Sequence, residues 1–214
     1  MKKAVLILIV GVIFALASYA ADTVSSANIV GYKQITILSN QLSLISTALI
    51  NESNTVAGLF GNLPSGTKVY LWDRVNQNYN VIIKTRAGWG DAGTNTVEIG
   101  SGLFISLPSD MQENIIISGE VPVAETSGIY TANGYSLLSH PYPTDVAFTN
   151  TVLAKEALSG DKVSLWRNND WVTYVKTRAG WAGTENLKIN FGEAIFYFST
   201  TNAVRNEIRP YTMN

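Results

Sequence analysis

The side chains with the clearest chemical potential in this sequence are aromatic and basic residues that occur in matched pairs. The hexapeptide KTRAGW is found at residues 84–89 and again at residues 176–181, an offset of 92 positions. Indole rings can stack on sugar rings, and neighbouring Lys and Arg side chains can receive the carboxylates of an acidic polysaccharide. These residue types and spacings define the candidate ligand-binding residues, which are Trp72, Trp89, Trp166, Trp171, Trp181, Lys84, Arg86, Lys176 and Arg178.

The same residues also have a structural interpretation. A repeated Trp in a small domain commonly supplies core area, since one buried aromatic side chain removes on the order of 150–250 Å² from water. Each Lys–Arg pair is spaced i and i+2, which places both side chains on one face of a strand if the strand continues that far. Basic residues on such a face usually lie in solvent or pair with Asp and Glu. The sequence leaves the choice between core and ligand platform open.

Residues that could carry enzymatic chemistry are few. His140 is the only histidine, and the sequence Pro141-Tyr142-Pro143 beside it indicates a turn rather than an oriented general base. The sequence has no G-x-S-x-G elbow, no glycine-rich phosphate loop that opens a helix, and no recognisable set of metal ligands. We therefore predict a protein that is not an enzyme and uses neither a cofactor nor a metal ion.

The first residues of the chain have the pattern of a secretion signal. Lys2 and Lys3 precede an apolar stretch at residues 4–16, and small residues at Ser18 and Ala20 follow it. The stretch is shorter than the roughly 20 residues that a membrane-spanning helix needs. We predict a signal peptide at residues 1–20, cleavage after Ala20, a secreted or cell-surface location, and no membrane span after processing.

Composition narrows the range of partners. Removal of residues 1–20 would take away Lys2 and Lys3, which changes the formal net charge from −1 to −3, and a nucleic-acid partner is not expected. Charged residues make up only 14% of the chain, compared with about 25% in an ordinary soluble domain. No Cys is present, so the fold must be stabilised by packing rather than by disulfides.

The repeat extends well beyond the hexapeptide. KVYLWDR at residues 68–74 matches KVSLWRN at 162–168, and GSGLFISL at 100–107 matches GEAIFYFS at 192–199, in the same order along the chain. Each copy is long enough to bury its own core. The apolar runs are four to eight residues long, rich in β-branched and aromatic residues, and separated by Gly, Asn, Asp and Ser, which predicts strands.

We predict an all-β fold made of two tandem homologous modules, each a β-sandwich or small barrel with one short helix. The helices are expected to begin at Asn54 and Asn150, which have the N-cap residue type. In the matched strands, Val69 and Leu71 should share one face, with Val163 and Leu165 as their counterparts. The predicted domains are a signal peptide (1–20), an N-terminal strand segment (21–39), a first β repeat (40–123) and a second β repeat (124–214).

Three segments of the second repeat carry a family resemblance. GYSLLSHPYP at Gly134, the Trp-bearing strand at Lys162 and GEAIFYF at Gly192 resemble a β-sandwich module of secreted and surface-displayed bacterial proteins, with the pattern G-[WY]-N-L-[IV]-x-N-P-Y. Together with the signal peptide and the two copies, the layout is similar to a family of secreted bacterial two-repeat proteins of unknown function. The resemblance implies fold and location and transfers no catalytic residue. The first repeat departs from the pattern, because STAL at residues 46–49 stands where the second repeat has SHPY.

The N-terminal segment suggests a route to assembly. A strand there can pair within its own chain or with the open sheet edge of a neighbour. Its apolar anchors are Ile29, Tyr32, Ile35 and Ile37. We expect an exported structural or interaction protein of an extracellular assembly or cell surface, which self-associates or binds a surface protein. The alternative is a carbohydrate-binding module that uses the repeated Trp and Tyr residues to hold a polysaccharide.

Overall fold

The computed structural model describes residues 29–39, 41–108, 111–168 and 170–212. The predicted signal peptide lies outside these residues. Strands account for 49% of the structure and helices for 9%, which confirms the predicted all-β fold. Within the described part of the chain, no helix has the length and apolar character needed to cross a membrane.

The elements of the first half, up to residue 123, are six strands and one short α-helix. They are β1 (Val30–Ile37), β2 (Ser43–Ser46), α1 (Val56–Phe60), β3 (Lys68–Asp73), β4 (Asn78–Ile83), β5 (Gly102–Ser106) and β6 (Glu113–Glu120). A 3₁₀ turn at Asp91–Thr94 lies between β4 and β5.

The second half contains the counterparts of these elements and three additional two-residue strands. Its elements are β7 (Thr126–Thr131), β8 (Gly134–Ser139), β9 (Val146–Ala147), α2 (Val152–Lys155), β10 (Lys162–Arg167), β11 (Asp170–Thr177), β12 (Gly180–Trp181), β13 (Lys188–Ile189), β14 (Ala194–Ser199) and β15 (Ala203–Ile208). A 3₁₀ turn at Phe148–Asn150 precedes α2.

Strands pair antiparallel and in the same order in both halves. The first half has a sheet ordered β2-β5-β3-β4, and the second has one ordered β12-β11-β10-β14-β8. In each half the first and last strands form a separate two-stranded sheet, β1 with β6 and β7 with β15. Strands β9 and β13 form one more small pair. The hairpins β3–β4 and β10–β11 match in register, since Trp72 faces Tyr79 and Trp166 faces Trp171.

Each half has its own hydrophobic core between its two-stranded sheet and its larger sheet. In the first half, Ile37 and Ile117 pack with Val69, Leu103 and other residues of the larger sheet, and α1 adds further apolar side chains. The predicted inward faces agree with the structure. Val69, Val163 and Leu165 are fully buried, whereas Leu71 is partly buried and packs against the first core.

The N-terminal strand segment belongs structurally to the first half. Strand β1 pairs with β6 at all eight of its positions, from Val30 opposite Glu120 to Ile37 opposite Glu113. Ile37 is fully buried and Ile35 packs against the core, whereas Ile29 and Tyr32 are exposed. The segment therefore helps to close the first core within its own chain.

The predicted helix caps are wrong by one residue. Thr55 Oγ1 accepts a hydrogen bond from Gly58 N, and Thr151 Oγ1 accepts one from Ala154 N, each at 3.1 Å. Asn54 instead uses its side-chain oxygen to accept from Asn51 N in the preceding turn. A hydroxyl on the residue closest to the helix thus replaces the predicted amide cap.

Candidate functional site

The two larger sheets pack against each other through aromatic side chains. Because strand side chains alternate, the residues opposite each core face the other sheet. These residues form an aromatic layer of six rings: Trp72, Tyr79, Phe104, Trp166, Trp171 and Phe196. Across the join, the ring centroids of Trp72 and Phe196 are 5.1 Å apart and those of Phe104 and Trp171 are 6.2 Å apart, both edge to face. The layer therefore holds the halves together.

Hydrogen bonds cross this join reciprocally. The indole N–H of Trp72 donates to Tyr135 O at 2.9 Å, and that of Trp166 donates to Leu42 O at 3.0 Å. Both acceptors lie at the beginning of the edge strand of the opposite half. Buried or half-buried indoles usually need such a partner for their N–H group. Two of the five candidate Trp residues therefore have their polar group engaged within the chain.

Two backbone hydrogen bonds cross the join in the same reciprocal way. Ser46 N donates to Gly192 O at 3.0 Å, and Ser139 N donates to Gly100 O at 2.8 Å. These bonds join the last residues of β2 and β8, the strands at the inner edges of the two sheets, to the opposite half. The inner edges of the two sheets are therefore partly covered by the chain itself.

The KTRAGW segments form two equivalent turns. Thr85 Oγ1 donates to Gly88 O, and Thr177 Oγ1 donates to Gly180 O. Gly88 has φ of 108° and Gly180 has φ of 121°, a region in which a side chain is strained. The glycine thus sets the turn that directs the following Trp.

The Trp after each turn is anchored to the short helix of its half. Trp89 Nε1 donates to Phe60 O at 3.2 Å, and Trp181 Nε1 donates to Ala154 O at 3.0 Å. Trp89 is buried, and Trp181 packs edge to face on Phe148. In this arrangement the indoles serve the fold of each half, and neither presents a free N–H to solvent.

The basic residues of the repeat divide into two kinds. Lys84 Nζ donates to the carbonyls of Gly61 and Leu63, just after the end of α1. Lys176 Nζ lies 5.9 Å from the centroid of the Trp181 ring. Strand β4 ends before Lys84, and β11 ends before Arg178, so neither pair lies fully on a strand. Arg86 and Arg178 are exposed and make no ion pair with any described residue.

Two clefts flank the aromatic layer, one beside each of its hydrogen-bonded indoles. The cleft beside Trp72 has a volume of about 350 Å³, and the cleft beside Trp166 has a volume of about 720 Å³. The smaller one is bordered by the four-residue hairpin loop at 74–77. In that loop, Gln77 Nε2 donates to Tyr135 O at 2.9 Å and Gln77 Oε1 accepts from Tyr135 N at 2.7 Å. In the second hairpin β10 ends at Arg167 and β11 begins at Asp170, and no described side chain bonds to Leu42 in the way that Gln77 bonds to Tyr135.

A buried polar cluster distinguishes the second half. Asp161 Oδ2 accepts from Tyr197 Oη at 2.8 Å, and its carboxylate lies 3.7 Å from Arg205 Nη2. Arg205 Nη1 also donates to Thr131 Oγ1 at 2.6 Å, while Arg205 Nε has no partner. Glu207 accepts from the N–H groups of the first turn of α2 at 2.7 and 2.9 Å. At the positions of Arg205 and Glu207, strand β6 of the first half has Ile115 and Ile117, which are buried in its core.

The protonation states in this cluster follow from its environment. Burial opposes ionisation of Asp161, but hydrogen bonds from Thr200, Tyr197 and Leu158 outweigh it and hold the pKa of the carboxyl below its usual value. Burial and the bond to Asp161 raise the pKa of Tyr197. Burial lowers the pKa of His140, whose Nδ1 lies 3.2 Å from Tyr142 O. His140 is bonded to no nucleophile, and none of these residues lines either cleft.

The outer edges of the two large sheets are the strands β4 and β11. Among the described residues, β4 pairs only with β3, and residues 170–175 of β11 pair only with β10. Both strands expose apolar side chains on the face of the aromatic layer: Tyr79 (38% exposed), Val81 (45%), Ile83 (50%), Trp171 (37%) and Val175 (42%). Val81, Ile83 and Val175 could not be recognised as edge residues from the sequence, because a strand at a sheet edge has the same composition as one inside the sheet.

No group of three or more metal-ligating side chains occurs among the residues that the structure describes. Comparison with protein families, with curated proteins and with solved structures gave no match. The resemblance to secreted two-repeat proteins thus stays a prediction.

Proposed function

We propose that this chain is an exported, non-enzymatic structural protein that builds an extracellular assembly by joining the edge strands β4 and β11 to other copies. The observation that carries this proposal is that no described residue pairs with the outer side of β4 or of residues 170–175 of β11. Natural sheet edges usually carry Lys, Pro, a bulge or a covering element, because an open edge is a template for another strand. The sequence of β4, NYNVII, has no charge and no Pro, and residues 170–175 of β11 have Asp170 as their one charged residue.

Besides their unpaired backbone groups, both edge strands carry exposed apolar side chains that favour association. Val81 and Ile83 on β4, and Val175 on β11, would leave water if another strand or sheet covered them. Burial of apolar surface contributes roughly 25 cal/mol per Å², and an added strand supplies main-chain hydrogen bonds as well. An exported chain with two such edges would support a multi-copy assembly rather than a soluble monomer.

The test uses the chain beginning at Ala21 and follows its mass by sedimentation velocity over a range of concentrations. We expect species larger than the monomer that grow with concentration. The double variant V81K/V175K should remain monomeric, because Lys is the residue that edge strands use against pairing. The matched control is V75K, which changes an equally apolar residue that is 82% exposed in the hairpin loop and should assemble normally. A wild-type chain that stays monomeric at every concentration would refute the proposal.

The wider cleft supports a second candidate function, that of a carbohydrate-binding protein. Its wall combines the Trp166 indole with amide and hydroxyl side chains, including Gln34, Gln41 and Asn168. Such groups can hydrogen-bond sugar hydroxyls beside an aromatic surface. Retardation of the wild-type chain in gels containing polysaccharide, lost in Q34A and retained in the control Q112A outside the cleft, would favour this candidate. Equal mobility with and without polysaccharide would exclude it for the polymers used.

A further inference from the structure

We infer that the assembly is head to tail, with the β4 edge of one copy joined to the β11 edge of the next copy. The inference rests on the proposed function and specifies its geometry. It identifies a second copy of this chain as the partner and predicts an open filament rather than a closed dimer.

The two edges lie at opposite ends of the stacked sheets. Strand β3 lies against β8, β2 lies against β14, and β5 lies against both β8 and β14. The sheet orders β2-β5-β3-β4 and β8-β14-β10-β11 therefore run in opposite directions across the stack. As a consequence β4 extends beyond one end and β11 beyond the other. Because the edges lie at opposite ends, one neighbour cannot cover both, so a contact between unlike ends leaves a free edge on each side and builds a chain of copies rather than a closed dimer.

The chemical match concerns the side chains beside the two edges. The aromatic layer is a contact between the first-half sheet and the second-half sheet, and the two faces fit one another there. Tyr79 and Trp171 belong to this layer and are still more than one-third exposed, so the layer is unfinished at both ends. Val81 and Ile83 continue the face of Tyr79, and Val175 continues the face of Trp171. When the β4 edge of one copy pairs with the β11 edge of the next copy, these apolar side chains lie side by side on one continuous face.

The competing geometry pairs like with like, β4 with β4 and β11 with β11. The single variants V81K and V175K distinguish the two. In the head-to-tail geometry each variant alone has one intact edge and no matching edge, so each sediments as a monomer. A 1:1 mixture then forms a species of twice the monomer mass, because the intact β4 of V175K joins the intact β11 of V81K.

Like-with-like pairing gives the opposite result. Each single variant would form a homodimer through its remaining edge, and mixing would add nothing. That result overturns the head-to-tail inference and leaves the proposed function standing, whereas a monomeric wild type refutes the proposed function itself. A mixture that stays monomeric although the wild type assembles also overturns the inference. Circular dichroism and the melting temperature verify that each variant is folded. If V81K or V175K does not fold, I83K and T173K provide a second pair of variants for the same experiment.

Discussion

Asp161 offers the sharpest test of how the second half is stabilised. Its side chain is fully buried, and each carboxylate oxygen accepts two hydrogen bonds. Oδ1 accepts from Thr200 N at 2.9 Å and Thr200 Oγ1 at 3.0 Å, and Oδ2 accepts from Tyr197 Oη at 2.8 Å and Leu158 N at 3.0 Å. The substitution D161N preserves the shape of the side chain. It removes the negative charge beside Arg205 and turns one acceptor oxygen into an N–H₂ group that faces two donors.

The expected loss is large for one substitution. Removal of one partner from a buried ion pair costs about 3–5 kcal/mol, because the other charge is left uncompensated. Arg205 would keep its hydrogen bond to Thr131 and its place over the Tyr197 ring, neither of which supplies a negative charge, and its Nε has no partner. Total stabilities of natural domains are about 5–15 kcal/mol. For a chain of this size we expect D161N to lower the melting temperature by roughly 6–20 °C.

The first half supplies the matched control. At the positions of Asp161, Tyr197 and Arg205 it has Thr67, Ile105 and Ile115, and its strands pair in the same register. Replacing a buried ion pair by packed apolar residues is often neutral or stabilising. The triple variant D161T/Y197I/R205I should therefore recover most of the stability that D161N loses, as measured by urea unfolding at pH 7. Wild-type stability of D161N, or a triple variant no better than D161N, would refute this account of the cluster.

Three further predictions follow from burial and protonation. L165A should lose about 2–5 kcal/mol in urea unfolding, since Leu165 is fully buried, and L71A should lose less because Leu71 is only partly buried; equal losses would contradict the assigned faces. Because burial lowers the pKa of His140 in the folded state, the unfolded state takes up a proton first as the pH falls below about 6.5, so stability should decline between pH 7 and 5. The variant H140T introduces the residue type found at the equivalent position of the first half. It should lack the part of the stability decline that His140 causes, and a pH profile identical to that of the wild type would contradict this assignment. Deletion of residues 21–38 should lower the melting temperature, because it removes β1 and leaves β6 without its partner; an unchanged melting temperature and association state would make the segment a passive leader.

The hairpins and their turns could be predicted from sequence because local signals determine them. Strand-forming runs with matching spacing gave the β3–β4 and β10–β11 pairs, and the alternation of side chains placed Val69 and Val163 inside. The helix caps were missed by one residue because Asn54 and Thr55 both have a cap residue type. Only the local backbone decides which of them stands next to the first helical residue.

The roles of the Trp residues could not be predicted, for a physical reason. Alternation shows that Trp72 lies opposite Val69 and Leu71, but it does not show whether that face meets water or another sheet. The answer depends on contacts between residues far apart in sequence, such as Trp166 with Leu42. The same limit applies to Arg205 and Glu207, whose alternation with exposed residues resembles an outward-facing strand face although both are buried.

The differences between the two halves bear on which surface carries the function. A protein that used both clefts for the same ligand would need two similar clefts, yet Arg74 and Val75 of the hairpin loop line one, and the other has about twice its volume. Both halves do share an exposed outer strand with apolar side chains and no Lys or Pro at residues 78–83 and 170–175. An assembly that grows at both ends requires both edges to be competent, because blocking either one stops growth. The similarity of the edges, set beside the difference between the clefts, therefore favours assembly over ligand binding as the role that both halves serve.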